Sequence, residues 1–311
     1  MNSRPKIVIL GAGMSGIACA LRLYKNFDVQ IFEKSKGVGG RLCAKKTKEG
    51  LFHFGAQYCS AQSSAFQNFL KENDAKNFLG SSFDMNTNSC IDTHNYFVGI
   101  NGMHSFLKNY NQILNMHFSQ KAIKVDEKKK LVYFESGNTE SYDIVISSLP
   151  LPQAQEIFEA EIEHDATFNP CISMGMILKG QTHNEHNAYK NIDQDISWLG
   201  SSKFYNPGDN ETWVLQFSPQ TSLEKINNSN NSLEIICNDA VQHTIKGKYE
   251  IMHCGVFKWK YALCKRSNLE KKYTSMSDNS FAIGDWNISP RVESAYISGS
   301  ELGKFLIETR S

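Results

Sequence analysis

Three glycines and one acid near the start of the chain have the types and spacing to hold a pyrophosphate. Gly11, Gly13 and Gly16 form Gly-x-Gly-x-x-Gly, with Ala12, Met14 and Ser15 between them; Glu33 and Lys34 follow. Gly11 lets the chain turn sharply. Gly13 lets backbone approach a phosphate, and Gly16 allows close packing of helix on strand. Glu33 lies at about the 20-residue spacing of an acid that binds ribose hydroxyls. The elements that must position this set are legible around it. Ile7 to Leu10 is an apolar strand running into the glycines, Ile17 to Ala20 opens a helix, and Val29 to Phe32 is a second strand ending at Glu33. The N-terminus of such a helix offers free N–H groups and partial positive charge to an anion. The unit predicts a dinucleotide site. A secretory leader, suggested by Arg4 and Lys6 before an apolar stretch, is disfavoured by the three internal glycines.

Three further motifs distinguish a flavin from a nicotinamide cofactor. Gly37-Val38-Gly39-Gly40-Arg41 forms a loop in which Arg41 can face a pyrophosphate or the flavin. Gly284-Asp285 ends a late apolar strand, where an acid can hold ribityl hydroxyls. Arg291-Val292-Glu293-Ser294-Ala295 opens the last helix, whose N–H groups can face the electron-rich edge of a flavin. Glu293 reads more readily as a first-turn acid favoured by the helix dipole than as a catalytic one. Ala122 joins the expected cofactor contacts from the start of a hairpin strand. In this order around the glycine unit, the motifs resemble the two-domain flavoproteins of the amine-oxidase and p-hydroxybenzoate-hydroxylase type. The resemblance implies FAD rather than NAD as the tightly bound cofactor.

Within that superfamily the chain is similar to renalase and its bacterial relatives. The similarity rests on Phe52-His53-Phe54-Gly55-Ala56-Gln57-Tyr58-Cys59-Ser60, on Asn101-Gly102-Met103, and on Ser147 to Ala154 with its Pro-x-Pro-Gln-Ala turn. It also rests on Trp259-Lys260-Tyr261-Ala262, Gly284-Asp285-Trp286 and Arg291 to Ala295. His53-Phe54 stand where the family tends to have Asp-His, and Phe257-Lys258 where relatives tend to carry His-Arg. The resemblance implies a non-covalent FAD oxidase. Such an enzyme takes hydride from isomeric dihydronicotinamide dinucleotides and passes the electrons to oxygen, giving hydrogen peroxide. That reaction asks mainly for stacking and exclusion of competing geometry. Gln57 and Tyr58 are expected near the flavin ring. Trp259 and Tyr261 are expected either to stack on a planar substrate or to be core aromatics of a second sheet. The alternatives are a flavin amine oxidase and a flavin-binding protein without turnover.

The chain has 311 residues, 41% hydrophobic and 21% charged, with a net charge of +1. This suits a large globular core and gives no sign of a nucleic-acid or membrane surface. The longest basic block, Lys128-Lys129-Lys130, reads as a solvated hairpin turn. Its eight cysteines show no Cys-x-x-Cys spacing, which points to reduced thiols in a cytoplasm. His183 and His186 share a polar stretch read as a solvated loop, and no metal site is expected.

The expected fold is α/β: a discontinuous Rossmann-like FAD-binding domain with an inserted α+β antiparallel-sheet substrate domain. The first takes residues 1–78, 101–152 and 276–311; the second takes 79–100 and 153–275. Residues 142–150 read as another buried parallel strand and 294–307 as a helix. A helix is expected to begin at Asn101-Gly102-Met103, and the Asn- and Ser-rich stretch 225–232 reads as a loop. Runs 171–179, 198–204, 212–217 and 255–261 read as strands of the second sheet.

Overall fold

A computed structural model describes residues 4–48, 50–203, 211–265, 268 and 271–310. The end of the strand-like run at Phe204 and the Cys254 side chain lie outside the described residues. Two large sheets organise the chain. The first has six strands, in the order Thr274–Ser277, Ser280–Ala282, Ile144–Ser147, Lys6–Leu10, Asp28–Phe32 and Asn115–His117. Neighbours are parallel except at the Thr274–Ser277 edge, so Ile7 lies beside both Val29 and Ile144. The near-continuous apolar run of Ile7 to Leu10 is what a strand covered on both faces requires, and all four residues are buried. This is a Rossmann-like α/β domain.

The helices Met14–Leu23 and Val292–Arg310 lie against each other on this sheet. Their approach depends on small residues: a Cβ at Gly299 would overlap the Ser15 carbonyl oxygen, and one at Gly303 would stand 2.6 Å from Arg22 Cβ. The last helix begins two residues before its expected start at 294.

The second sheet has seven strands, in the order Gly247–Cys264, Phe168–Thr182, Glu211–Phe217, Ile196–Ser201, Ala188–Lys190, Ala75–Asp84 and Ser89–Gly99. It is antiparallel apart from one parallel pairing, Ala188–Lys190 beside Ala75–Asp84. On one face, Ile172, Met174, Met176 and Leu178 pack with Leu233, Cys237 and Val241 of the helix Asn230–Thr244. Those helix residues recur every four positions, and burying each of the larger ones contributes about 1.5–3 kcal/mol. On the opposite face, Ile177 and Val214 pack with Phe52 and Phe54. Gly175 admits these rings, since a Cβ there would stand 2.8 Å from Phe52.

Two sequence expectations are corrected and a third holds. Of the stretch read as a loop, Lys225 ends the helix Pro219–Lys225 and Asn230 to Ser232 begin the next one, leaving only residues 226–229 between them. The apolar face of Asn230–Thr244 outweighs the asparagine and serine content of its first turn. The helix expected from Asn101 begins at Ser105 and is a single turn continued by a 3₁₀ turn through Gln112. Gly102, at φ 101°, is in the left-handed region and delays it. The 128–130 lysines do form the turn of an antiparallel hairpin between Ala122–Asp126 and Leu131–Phe134.

Candidate active site

A cavity of about 710 Å³ runs from the glycine turn after the first strand to the edge strand Gly247–Cys264 of the second sheet. Its size lies within the range of small-molecule and cofactor sites.

At one end the backbone of the glycine unit is exposed to the cavity. Gly11 has φ 106°, which a side chain would strain. A Cβ at Gly13 would meet nothing within 4 Å, so this backbone faces open space at the helix start. Gly16 does a different job. A Cβ there would overlap the Gly11 carbonyl oxygen and stand 2.9 Å from Ser148 Oγ, so Gly16 permits the helix to sit on the turn. Ser15 Oγ and Ser148 Oγ close the same contact at 3.0 Å. Glu33 is buried; its two carboxylate oxygens accept from Ala12 N–H at 2.9 Å and Ser35 N–H at 2.8 Å. The acid therefore holds together the loop after the first strand and the loop after the second.

In the middle, Arg41 donates to both Asp285 oxygens, one of them at 2.9 Å, and to the Ala262 carbonyl at 3.0 Å. Burial alone would lower the guanidinium pKa, but the charge and hydrogen bonds of Asp285 outweigh it and raise it. Three cysteines border this region. Burial pushes the Cys43 and Cys171 thiols up to about 11, and burial together with Asp285 pushes Cys264 up to about 12. All three remain thiols at neutral pH, and none supplies a thiolate nucleophile.

The far end is aromatic. Phe54, Phe257 and Trp259 form one wall, with ring centroids 6.0 Å apart for Phe54–Phe257 and 4.4 Å for Phe257–Trp259. Trp259 Nε1–H donates to the Phe54 carbonyl at 3.0 Å. Tyr58 and Trp198 stand 6.1 Å apart as a second aromatic group, extended by Tyr96 at 4.4 Å from Tyr58. Tyr261 meets Phe168 edge-on at 6.2 Å. Gln57 is 6% exposed and lines the cavity, and its side-chain Nε2 is buried with no hydrogen-bond partner among the described residues. Its backbone carbonyl is held 3.0 Å from His53 Nδ1. Burial is the main reason the His53 pKa falls, to about 4; the Gln57 carbonyl partly offsets this and His104 adds to it. The ring is thus neutral and its Nδ1–H donates.

Of the residues expected from sequence, Gln57, Tyr58, Trp259 and Tyr261 all line this cavity. So do Gly11, Gly13, Met14, Ser15, Glu33, Lys34, Gly40, Arg41, Asp285, Arg291, Val292 and Ala295. Ala12, Gly16, Ala122, Gly284 and Glu293 are not among the lining residues. Ala122 packs instead beside the cluster of Val125, Val132 and Phe134. A Cβ at Gly284 would collide with the Trp286 indole. Glu293 accepts from Gln62 N–H at 2.9 Å and from Ser63 N–H and Oγ–H, each at 2.7 Å, anchoring the start of the helix Ser64–Glu72. Asp285 faces the cavity but is engaged by Arg41.

Sequence reasoning missed Trp198 and Gln216, which lie opposite each other on adjacent strands and both line the cavity. The signal was available only as strand alternation, and the face on which it fell could not be read without the pairing.

Residues 9–72 match the family model of the NAD(P)-binding Rossmann-like domain. A zeta-carotene-forming phytoene desaturase from Myxococcus xanthus is 57% identical over 37 residues, 12% of this chain. The match covers 7% of the desaturase's own length. Among solved structures, a reduced UDP-galactopyranose mutase superposes with a TM-score of 0.79 at 12% identity, covering 98% of this chain and 94% of the mutase. Wild-type putrescine oxidase bound to putrescine gives 0.75 at 11% identity, with 98% and 99% covered. An oxidoreductase from Methanosarcina mazei gives 0.71 at 13% identity, with 96% and 100% covered. The chain shares the whole fold of these proteins: a Rossmann-like domain joined to a second, largely antiparallel sheet.

Proposed function

We propose that this chain is an FAD-dependent oxidoreductase. Three features of the cavity suit a flavin dinucleotide: open backbone at Gly13, a tethered acid at Glu33, and at Gln57 an amide donor that has no partner among the described residues. Bound there, the flavin would supply the two-electron acceptor. The chain's own residues then have positioning roles. The start of Met14–Leu23 and the Gly13 backbone would hold the phosphates, and the start of Val292–Arg310, with Arg291 and Ala295, lines the cavity further on. Phe54, Phe257 and Trp259 offer a planar ring a stacking surface and keep water from it.

For the substrate, we infer an isomeric dihydronicotinamide dinucleotide, oxidised to the nicotinamide form. With oxygen as acceptor, hydride plus a proton convert O₂ to hydrogen peroxide. One observation carries this choice over an amine. The described acids lining the cavity are Glu33 and Asp285, both already engaged, whereas Lys34 and Arg291 line it as cations; the Lys258 ammonium is turned to the Asn228 carbonyl and that of Lys260 lies over the Tyr261 ring. A cavity so charged favours a phosphate-bearing substrate and disfavours an ammonium ion. The discriminating experiment compares anaerobic reductants: borohydride-reduced NAD, which contains the isomers, against a panel of primary amines and polyamines. Faster reduction by the NAD isomers supports the proposal. Reduction by amines alone assigns an amine oxidase, and no reduction by any reductant assigns a binding protein without turnover.

A further inference from the structure

Gln57 and Gly200 lie on different elements, and the fit of one depends on the other. Gly200 lies on the strand Ile196–Ser201, opposite Val214. A Cβ added at Gly200 would overlap Gln57 Oε1 and stand 2.8 Å from Trp198 Nε1. The amide of Gln57 therefore occupies the space that any other residue at position 200 would fill. The Trp198 indole N–H borders the same space. The opposite end of the amide, Nε2, is buried and has no acceptor among the described residues, and Gln57 lines the cavity. A buried donor without a partner is costly, roughly the desolvation of the group, and such an arrangement persists where a ligand completes it.

We infer that Gln57 is the donor that recognises a ring-conjugated carbonyl oxygen in the aromatic end of the cavity, and that Gly200 and Trp198 form the seat that aims it. The inference rests on the proposed flavin chemistry for the identity of the ligand. Two ligands present such a carbonyl: the pyrimidine edge of the flavin and the carboxamide of a nicotinamide substrate. Gln57 would touch the ligand; Gly200 and Trp198 act through Gln57 and are positioning residues. The glycine is required here for space, and its backbone is not in the left-handed region.

The test is a double-mutant cycle read by binding. Apoprotein is titrated with FAD, and flavin-loaded protein with oxidised NAD, for the native chain, Gln57→Leu, Gly200→Ala and the double variant. If the carbonyl belongs to the cofactor, FAD affinity falls roughly tenfold in Gln57→Leu while NAD affinity holds; if it belongs to the substrate, the reverse is seen. Gly200→Ala should reproduce the loss by displacing the amide, and the double variant should bind no more weakly than Gln57→Leu alone. Penalties that add, or both affinities unchanged in Gln57→Leu, overturn the inference. Should Gly200→Ala fail to fold, Trp198→Phe removes the indole N–H from the seat; an unchanged affinity for both ligands in that variant is equally contradictory. Failure of the proposed substrate reads out elsewhere, as native flavin that reduced NAD does not bleach.

Discussion

Arg41 and Asp285, 244 residues apart in the chain, meet in a two-pronged ion pair inside the cavity. The guanidinium also holds the Ala262 carbonyl, so one side chain ties together the glycine-rich loop, the end of the late strand and the edge strand of the second sheet. An acid expected to hold ribityl hydroxyls is thus first of all a partner for the arginine. Asp285 is 8% exposed and Arg41 30% at their side chains.

Removing one partner should cost more than removing both. Asp285→Ala leaves the guanidinium half-buried without its counter-charge, at a cost of about 2 kcal/mol once partial exposure is allowed for. The thermal midpoint should fall by roughly 4 °C. Arg41→Met combined with Asp285→Leu should recover much of that loss. A double variant less stable than Asp285→Ala would contradict the pairing.

Glu293 should prove structural. Three donors, Gln62 N–H, Ser63 N–H and Ser63 Oγ–H, converge on its buried carboxylate. Glu293→Ala strands them and should cost about 2–4 kcal/mol. Calorimetry should show that loss, while the visible spectrum of the protein that remains folded is unaltered.

Glu33 should govern dinucleotide binding. Glu33→Ala leaves the Ala12 and Ser35 N–H groups without their acceptor and loosens the turn that faces the phosphates. Affinity of the apoprotein for FAD should fall roughly tenfold or more. Equal affinity in the variant would place the dinucleotide elsewhere.

Acid should destabilise the fold through His53. Its folded pKa of about 4 lies below the model-peptide value of 6.5, so the unfolded chain binds the additional proton between those values. Stability from this group is therefore full above about pH 6.5 and is lost as pH falls toward 4, by about 3 kcal/mol in all. Denaturant titrations at pH 7 and pH 4.5 should show a steeper loss for the native chain than for His53→Gln. Parallel slopes would contradict the assignment.

The glycine unit was legible because everything it needs is local: an apolar strand, a turn and a helix within the first 33 residues. The same holds for the hairpin around Lys128 to Lys130. The aromatic end was legible only in part. Gln57, Tyr58, Trp259 and Tyr261 could be nominated by resemblance, and all line the cavity. Trp198 and Gln216 could not, because their face of the second sheet is set by strand pairing. Gly200 makes room for a side chain 143 positions earlier, a contact with no local trace. Glu293 shows the opposite failure: an acid at the right place in a motif, turned by tertiary packing toward another helix. The Asn- and Ser-rich start of Asn230–Thr244 misled because composition was weighed there without the four-residue spacing of Leu233, Cys237 and Val241.

The central claim is tested most directly by the visible spectrum of the purified protein, recorded before and after anaerobic mixing with borohydride-reduced NAD. The account predicts a bound flavin band that bleaches within the mixing experiment and returns when oxygen is admitted, with hydrogen peroxide formed in step. A colourless protein that does not take up FAD, or a flavin band untouched by the reduced dinucleotide, would contradict it.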